Sequence, residues 1–205
     1  MKFYDSMGPN PRLVRMFIAE KGLDVPKETV DIMAGANRQA PYTDKNPYGQ
    51  MPALELGDGS IISETTVICE YLEEQNPTPA LIGTTAEERA TTRMWTRRVV
   101  LNIIEPMSAG FRFAEGLPMF KERMHCMPDA AADFKLLAQQ GLAKLDGLIE
   151  GQPWIAGDRF TLADITLFSL LDFFRTVGQP LDPEQKNIAA WFERVGARPS
   201  AAASA

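Results

Sequence analysis

The chain has 205 residues, of which 45% are hydrophobic and 23% charged, a composition typical of a soluble globular protein with a buried core. Its formal net charge is −6, and this acidic balance argues against binding to nucleic acid or to an anionic membrane surface. The two cysteines, Cys69 and Cys126, lie far apart in the sequence, so we expect neither a disulfide framework nor a metal site.

The first elements predicted are a strand and a helix. Residues 2–5 alternate between polar and apolar side chains, which is typical of a strand. Asn10 followed by Pro11 predicts a helix start, with Asn10 as the N-cap and Pro11 as the first helical residue. That helix is expected to end at Gly22, because glycine commonly follows the last helical turn.

A second strand and a hairpin are predicted next. Residues 29–32 form the strand, and the polar residues 35–48, which are interrupted by prolines, form a loop. Residues 53–56 and 60–62 predict the two strands of a hairpin, because Gly-Asp-Gly at residues 57–59 is a turn signal.

A helix is predicted directly after this hairpin. Ser63 and Thr65 are its candidate N-caps. Its N-terminus has free backbone N–H groups and a favourable dipole, so it favours a carboxylate beside Thr65, whereas the charge of Glu64 suits an ammonium group. Four apolar residues fall on one face of this helix at helical spacing, namely Val67, Ile68, Tyr71 and Leu72.

Met51 and Pro52 stand immediately before the hairpin. Pro52 opens a strand, where a missing N–H and a cis peptide bond are tolerated. The backbone N–H and C=O of Met51 are then available to an extended peptide ligand, which would pair as an added strand. The sequence therefore predicts strand pairing, a carboxylate site and an ammonium site close together.

The second part of the chain is helical in pattern. The residues Asn-Pro-Thr-Pro at 76–79 predict a linker. Thr85 and Glu88 form a capping box at the start of a long helix, which Pro106 is expected to kink or end. Residues 130–148 predict an amphipathic helix.

A second capping box precedes a helix that is too apolar for the protein surface. Thr161 and Asp164 occupy the N-cap and N3 positions, and Phe160 with Ile165 supplies a hydrophobic staple. The apolar residues that follow are Leu167, Leu170, Leu171 and Phe174. A last helix is predicted around Trp191, and the Ala/Ser-rich residues 201–205 are expected to fray.

Met51-Pro52, followed by Glu64-Thr65 and a helix, resembles the glutathione site of the cytosolic glutathione transferases, and the second capping box resembles the one in their C-terminal domain. The resemblance implies an α+β fold, with a thioredoxin-like N-terminal domain at residues 1–77, a linker at 78–86 and an all-α helical domain at 87–205. It also implies that the proline is cis and that glutathione is the co-substrate. The glutathione-binding residues so implied are Asn37, Arg38, Gln50, Met51, Pro52, Glu64 and Thr65.

The segment expected to activate the glutathione thiol departs from the family pattern. The usual Ser or Cys position falls on Gly8, in the sequence Gly-Pro-Asn-Pro. This turn resembles an atypical fungal subgroup of the family, which is thought to use a held water and the helix dipole. The donor is then Ser6, Asn10 or such a water, and these alternatives remain open. Tyr4 is interpreted as a core residue. Dithiol chemistry of the glutaredoxin type is excluded, because that chemistry needs cysteines in this turn.

The resemblance predicts conjugation of the glutathione thiol to small apolar electrophiles, which would bind near Met7, Ser108, Phe111 and Phe113. The alternative is a non-catalytic binding or scaffold module of the same fold, which Gly8 makes credible. A homodimer is expected, and the arginines of the helix after Thr85 either face solvent or line its interface. The longest apolar stretch is far shorter than the roughly 20 residues of a membrane span. With no room for a signal peptide before the first strand, the prediction is a cytoplasmic protein that has no membrane partner.

Overall fold

The structure is a computed structural model that describes residues 1–205, and these divide into two units. The first unit contains Met1–Thr84 together with Arg198–Ala205, and the second is Thr85–Ala197. The predicted helical domain, residues 87–205, therefore extends further along the chain than the second unit does, because residues 198–205 belong to the first unit. The cause is a long-range contact: Arg198 Nε and Nη2 donate to the two carboxylate oxygens of Glu20, each at 2.7 Å.

A four-stranded mixed sheet in the order β2-β1-β3-β4 lies in the first unit. Its strands are β1 (Lys2–Asp5), β2 (Lys27–Thr29), β3 (Ala53–Glu55) and β4 (Ile61–Ser63). Strand β1 runs parallel to β2 and antiparallel to β3, and β3 pairs antiparallel with β4. The hairpin is confirmed. The second strand was predicted too late in the chain, because its pairing with β1 begins at Lys27.

The helices of the first unit are α1 (Pro9–Glu20), α2 (Tyr42–Lys45), α3 (Thr65–Gln75) and α10 (Pro199–Ala203). Helix α2 and a 3₁₀ turn at Ala36–Arg38 lie in the segment predicted as a loop, so that prediction is wrong. The prediction of a frayed tail is also wrong, because α10 occupies most of it. In both places long-range contacts order residues whose local pattern is only polar or small.

The second unit contains helices α4 to α9. They are α4 (Ala86–Val99), α5 (Glu105–Arg112), α6 (Leu117–Phe120), α7 (Ala131–Leu148), α8 (Leu162–Phe174) and α9 (Lys186–Gly196). A π-helical turn, Val100–Ile104, joins α4 to α5, and Pro106 lies in the first turn of α5, where its missing N–H is tolerated. The helix that begins at Ala86 ends at Val99, before Pro106 is reached, so the expected role of Pro106 in kinking or ending it stays a prediction.

Helix α8 forms the core of the second unit. Every residue from position 162 to 171 is buried, including Asp164, as the apolar pattern predicted. Both predicted capping boxes are present, at Thr85 with Glu88 and at Thr161 with Asp164. None of the helices combines the length and hydrophobicity that crossing a lipid bilayer requires.

Candidate functional site

The loop before Pro52 is fixed by side chains that bind its backbone carbonyls. Asn37 is buried, and its Nδ2 donates to the carbonyl of Gly49 at 2.7 Å. The exposed Arg38 donates from Nη1 to the carbonyl of Tyr48 at 3.0 Å. Gly49 has φ 59°, and a Cβ there would lie 2.7 Å from the carbonyl oxygen of Asn37, so only glycine fits. Two of the predicted ligand residues therefore also shape the loop.

Two residues that the sequence analysis missed anchor the next carbonyl. The hydroxyl of Tyr42 donates to the carbonyl of Gln50 at 2.7 Å, and Asn46 Nδ2 donates to the same oxygen at 2.9 Å. Burial is the main cause that raises the pKa of Tyr42, which keeps its hydroxyl protonated as a donor. The signal in the sequence was a tyrosine within a polar segment, which has one other aromatic residue, Tyr48. The side chain of Gln50 remains exposed.

The Met51-Pro52 peptide bond is cis, as predicted. The ladder of β3 and β4 begins with the pairing of Ala53 with Ser63, so the backbone of Met51 lies beyond it and makes no hydrogen bond within the protein. The side chain of Met51 packs against a buried cluster that includes Tyr4 and Tyr42. Met51 is thus held by its side chain while its backbone donor and acceptor stay available.

The N-terminus of α3 lies beside this segment, because the register that pairs Ala53 with Ser63 places the chain after Ser63 next to the chain before Ala53. The N-cap is Glu64, at φ 71° and ψ 121°, and no side chain caps the helix. The prediction of Ser63 or Thr65 as N-cap is therefore wrong. Glu64 is the only non-glycine residue with positive φ, its side chain is exposed, and Thr65 is the first helical residue.

The first three residues of α1 present a single backbone donor. The N-cap of α1 is Gly8 at φ 110°, and no side chain caps the helix, so the prediction of Asn10 as N-cap is wrong. Asn10 instead lies between Pro9 and Pro11 in the first turn, and neither proline has an N–H. Asn10 therefore supplies the only backbone N–H among the first three helical residues, and its side chain is exposed.

Ser6 and Tyr4 are both committed to contacts within the protein. Ser6 is buried, and its hydroxyl donates to the carbonyl of Met7 at 3.1 Å. Tyr4 is 1% exposed, packs edge-on against Tyr42, and donates its hydroxyl to a carboxylate oxygen of Glu55 at 2.5 Å. The interpretation of Tyr4 as a core residue is confirmed. Met7 is 62% exposed.

The remaining predicted residues lie in the second unit. Ser108 is buried in α5, and Phe111 belongs to an aromatic cluster with Phe173 and Phe174. Phe113 is 5% exposed and packs edge-on against a phenylalanine of α7. These contacts make the two phenylalanines part of the packing of their own unit.

Comparisons with known proteins match both parts of the chain. The family model described as the N-terminal domain of glutathione S-transferase matches residues 7–75, and the model of the C-terminal domain matches residues 131–199. The chain is 31% identical to a Saccharomyces cerevisiae protein named glutathione S-transferase 2, over 98% of this chain and 87% of that protein. It is 33% identical to maleylacetoacetate isomerase of Pseudomonas aeruginosa, over 82% and 78% of the two chains.

A crystal structure of a glutathione S-transferase domain-containing protein from Marinobacter aquaeolei VT8 has the same fold. It superposes with a TM-score of 0.91 at 36% identity, and the alignment covers 98% of this chain and 99% of that one. The sheet and helices of the first unit and the helices of the second therefore have the predicted thioredoxin-like and all-α arrangement.

Proposed function

This chain belongs to the glutathione S-transferase family, and on that premise we propose that it conjugates the thiol of glutathione to small apolar electrophiles in the cytoplasm, in a detoxifying role. It is a glutathione transferase, and glutathione is its co-substrate. The choice of electrophile and the way the thiol is ionised are proposals, for which the first unit supplies the physical support.

The uncapped N-terminus of α3 is the observation that carries the proposal. A non-glycine residue in the left-handed region, such as Glu64, stores about 1–3 kcal/mol of strain, and such strain clusters at ligand sites. An uncapped helix start offers free N–H groups and a favourable dipole to a carboxylate. We place the carboxylate of the γ-glutamyl group at Thr65 and its ammonium group at the carboxylate of Glu64.

The rest of the peptide follows from the same strand edge. The free backbone N–H and C=O of Met51 suit the cysteinyl residue, in the manner of an added strand, and Pro52 directs the chain into β3. The glycine carboxylate is proposed to lie near the exposed side chains of Arg38 and Gln50. Asn37 supports this site through Gly49, because its amide already donates there.

The thiol is proposed to ionise against the N-terminus of α1. A helix N-terminus stabilises a nearby anion by about 0.3–2 kcal/mol, and a hydrogen bond to a charged acceptor contributes about 1.5–3 kcal/mol. At about 1.4 kcal/mol per pKa unit, the dipole and one donor lower the thiol pKa by about two. Asn10 supplies a donor that needs no side-chain hydroxyl, with Ser6 or a held water as the alternative, as in the fungal subgroup that this turn resembles.

The electrophile is proposed to contact the exposed thioether of Met7. Apolar and polarisable side chains suit an apolar electrophile.

A homodimer is proposed on the basis of a groove of about 630 Å³ between α4, α5 and α7, whose apolar lining includes Trp95, Leu101 and Leu137. Leu101 and Leu137 are 49% and 50% exposed, and contiguous exposed apolar surface marks interaction sites. The lining has two cations, Arg98 and Lys144, and no acidic residue. A second copy, whose net charge is −6, offers complementary acidic surface.

The proposed binding mode is tested by calorimetry with glutathione. Glu64→Ala and Thr65→Ala are each expected to weaken binding by about 10- to 100-fold, since each removes a bond to a charged group worth about 1.5–3 kcal/mol. Glu74→Ala, an exposed acidic residue near the other end of α3, is the control and should leave the affinity unchanged. Unchanged affinity in both site variants would contradict the binding mode. Binding without conjugation of an aryl halide would favour the scaffold alternative.

A further inference from the structure

Arg15 connects the thiol-activating turn to the C-terminus of the chain. It lies in α1, two helical turns after Gly8, and its Nη1 donates to the carbonyl of Ser6 at 3.0 Å and to Asp5 Oδ1 at 2.7 Å. On its other side, Nε donates to the carbonyl of Ser204 at 2.9 Å. One guanidinium group therefore binds the end of β1, the following turn and the last turn of the chain.

The backbone of Ser6 is held on both of its polar groups. Its carbonyl accepts from Arg15, and its N–H donates to the same Asp5 oxygen that Arg15 binds, at 2.9 Å. The side chains of Arg15 and Asp5 are only 14% and 15% exposed, so water screens this pair little. The planar guanidinium, with donors in fixed directions, is suited to bind three acceptors at once, which a lysine ammonium on a flexible stem is not.

The C-terminal residues are themselves anchored to α1. Ser204 is fully buried, and its hydroxyl donates to the carbonyl of Ala201 at 3.1 Å. At the far end of α1, Glu20 accepts two hydrogen bonds from Arg198, each at 2.7 Å, and one from the hydroxyl of Ser200. Helix α10 is thus attached at both ends to the helix that carries the turn.

The turn has few other restraints. It contains Gly8, at φ 110°, and no side chain caps α1. The buried face of α1 fixes the direction of the helix and its dipole, and the tie between Ser6 and α1 then holds the turn in place against the start of that helix. Arg15 makes that tie from within α1 itself. Displacing a reacting group by about 1 Å is enough to cost a large factor in rate, so such a tie has catalytic consequences.

We propose that Arg15 is a positioning residue for thiol activation, and that the C-terminal residues 198–205 hold Arg15 in place for this task. The inference rests on the proposed function, because it takes the turn at Ser6–Asn10 as the place where the glutathione thiol is ionised. Arg15 touches neither substrate in this scheme and acts through the backbone of Ser6.

The test separates glutathione binding from thiol ionisation. Arg15→Met is expected to raise the pKa of bound glutathione, followed by the ultraviolet absorbance of its thiolate, by about 1, and to lower kcat/KM about tenfold near neutral pH. The Kd for glutathione should change less than threefold, because Met51, Glu64 and Thr65 lie on other elements. Arg123→Met, an exposed arginine of the second unit, is the control and should change none of these values.

Two further variants distinguish positioning from stability. Arg15→Lys keeps the charge beside Asp5, so it should recover most of the lost melting temperature without recovering the thiol pKa. A chain that ends at Ala203 lacks the Ser204 carbonyl and should reproduce part of the pKa rise. Adding Arg15→Met to that shortened chain should then raise the thiol pKa by less than Arg15→Met does in the full chain, because both changes break the same linkage between Arg15 and Ser204.

The inference is overturned if Arg15→Met or the shortened chain melts earlier but keeps the wild-type thiol pKa and kcat/KM, since the linkage would then be only stabilising. A wild-type protein that binds glutathione without lowering its thiol pKa would instead overturn the proposed activation at α1, and the inference with it. The two failures are therefore read from different proteins, the variant in the first case and the wild type in the second.

Discussion

Replacing Asp164 with alanine is expected to be among the most destabilising single changes in this protein. Its carboxylate is fully buried at the start of α8 and accepts four hydrogen bonds. Oδ1 accepts from the N–H of Ile155 at 2.9 Å and from Nε1 of Trp191 at 2.8 Å. Oδ2 accepts from the N–H and the hydroxyl of Thr161, at 2.9 and 3.2 Å. Asp164 thus joins a loop, a capping box and α9.

The magnitude follows from the donors that Asp164→Ala leaves without a partner. Each buried donor left unsatisfied costs about 1–3 kcal/mol, and loss of a helix cap costs about 0.5–2 kcal/mol. Because the cavity left behind allows some of the donors to relax, we expect a total of about 3–5 kcal/mol, a large part of the roughly 5–15 kcal/mol that stabilises a typical domain. This exceeds what a capping box alone would contribute.

The assay is denaturant unfolding of the wild type and three variants. Asp164→Asn keeps an oxygen that accepts from Ile155 and Trp191 but replaces the oxygen that accepts from Thr161 with an NH₂ group. It should therefore lose clearly less free energy of unfolding than Asp164→Ala. Asp133→Ala, an exposed acidic residue in the first turn of α7, is the control and should cost no more than about 1 kcal/mol. Glutathione affinity should be unchanged in every variant that is folded. A loss below about 1 kcal/mol for Asp164→Ala, or reduced affinity in a variant that melts normally, would refute this account.

The same group predicts a dependence of stability on pH. Burial raises the pKa of Asp164 to about 6, against the opposing effect of its hydrogen-bond donors. In the unfolded chain an aspartate has a pKa of about 3.9, so between roughly pH 4 and 6 the folded state retains a proton that the unfolded state has lost. The free energy of unfolding should therefore decrease as the pH rises through this window. Asp164→Asn should lack this contribution, and parallel slopes for the two proteins would contradict the assignment.

The remaining predictions concern the thiol and the dimer. Tyr4→Phe, Ser6→Ala and Asn10→Ala should each leave measurable conjugation, at a cost of at most about tenfold or 1.4 kcal/mol, because the backbone N–H of Asn10 and the dipole of α1 survive all three. A variant that alone returned the bound thiol to its solution pKa would show that its side chain is the activator. Leu137→Glu should dissociate the homodimer, whereas Leu136→Glu, a neighbouring exposed residue outside the groove, should not. Light scattering that gave a monomer mass for the wild type at micromolar concentration would rule out this dimer.

The elements that the sequence predicted correctly are those encoded within a few residues. The box of Thr161 and Asp164 needs only its own turn and the apolar run after it, and the same is true of Thr85 and Glu88. The hairpin around residues 57–59 is equally local. Such signals fixed both the helical pattern of the second unit and the segment that presents Met51 and Glu64.

The elements predicted wrongly depend on partners far along the chain. Strand β2 has three exposed residues and no apolar pattern, so its position follows from pairing with β1 rather than from its own composition. Helix α10 begins directly after Arg198, which binds the distant residue Glu20. The start of α1 was misplaced for a different reason: Pro9 and Pro11 both suit the first helical position, and the glycine before Pro9 adopts the φ of 110° that admits the earlier start.

The backbone polar groups of the candidate site fall into two sets: satisfied groups, which have a hydrogen-bond partner within the protein, and unsatisfied groups, which have none. The carbonyls of Tyr48, Gly49 and Gln50 are each bound by a side chain from the preceding segment, which fixes the loop before Met51. The backbone of Met51 and the first turn of α3, by contrast, have no such partners. Orphaned backbone groups are costly when buried, so they persist where water or a ligand can reach them.

The residues that sequence reasoning missed, such as Tyr42, Asn46 and Arg15, all bind the satisfied groups. They were missed because a side-chain hydrogen bond to a backbone carbonyl leaves no periodic pattern in the sequence, even though such bonds determine where the unsatisfied groups point.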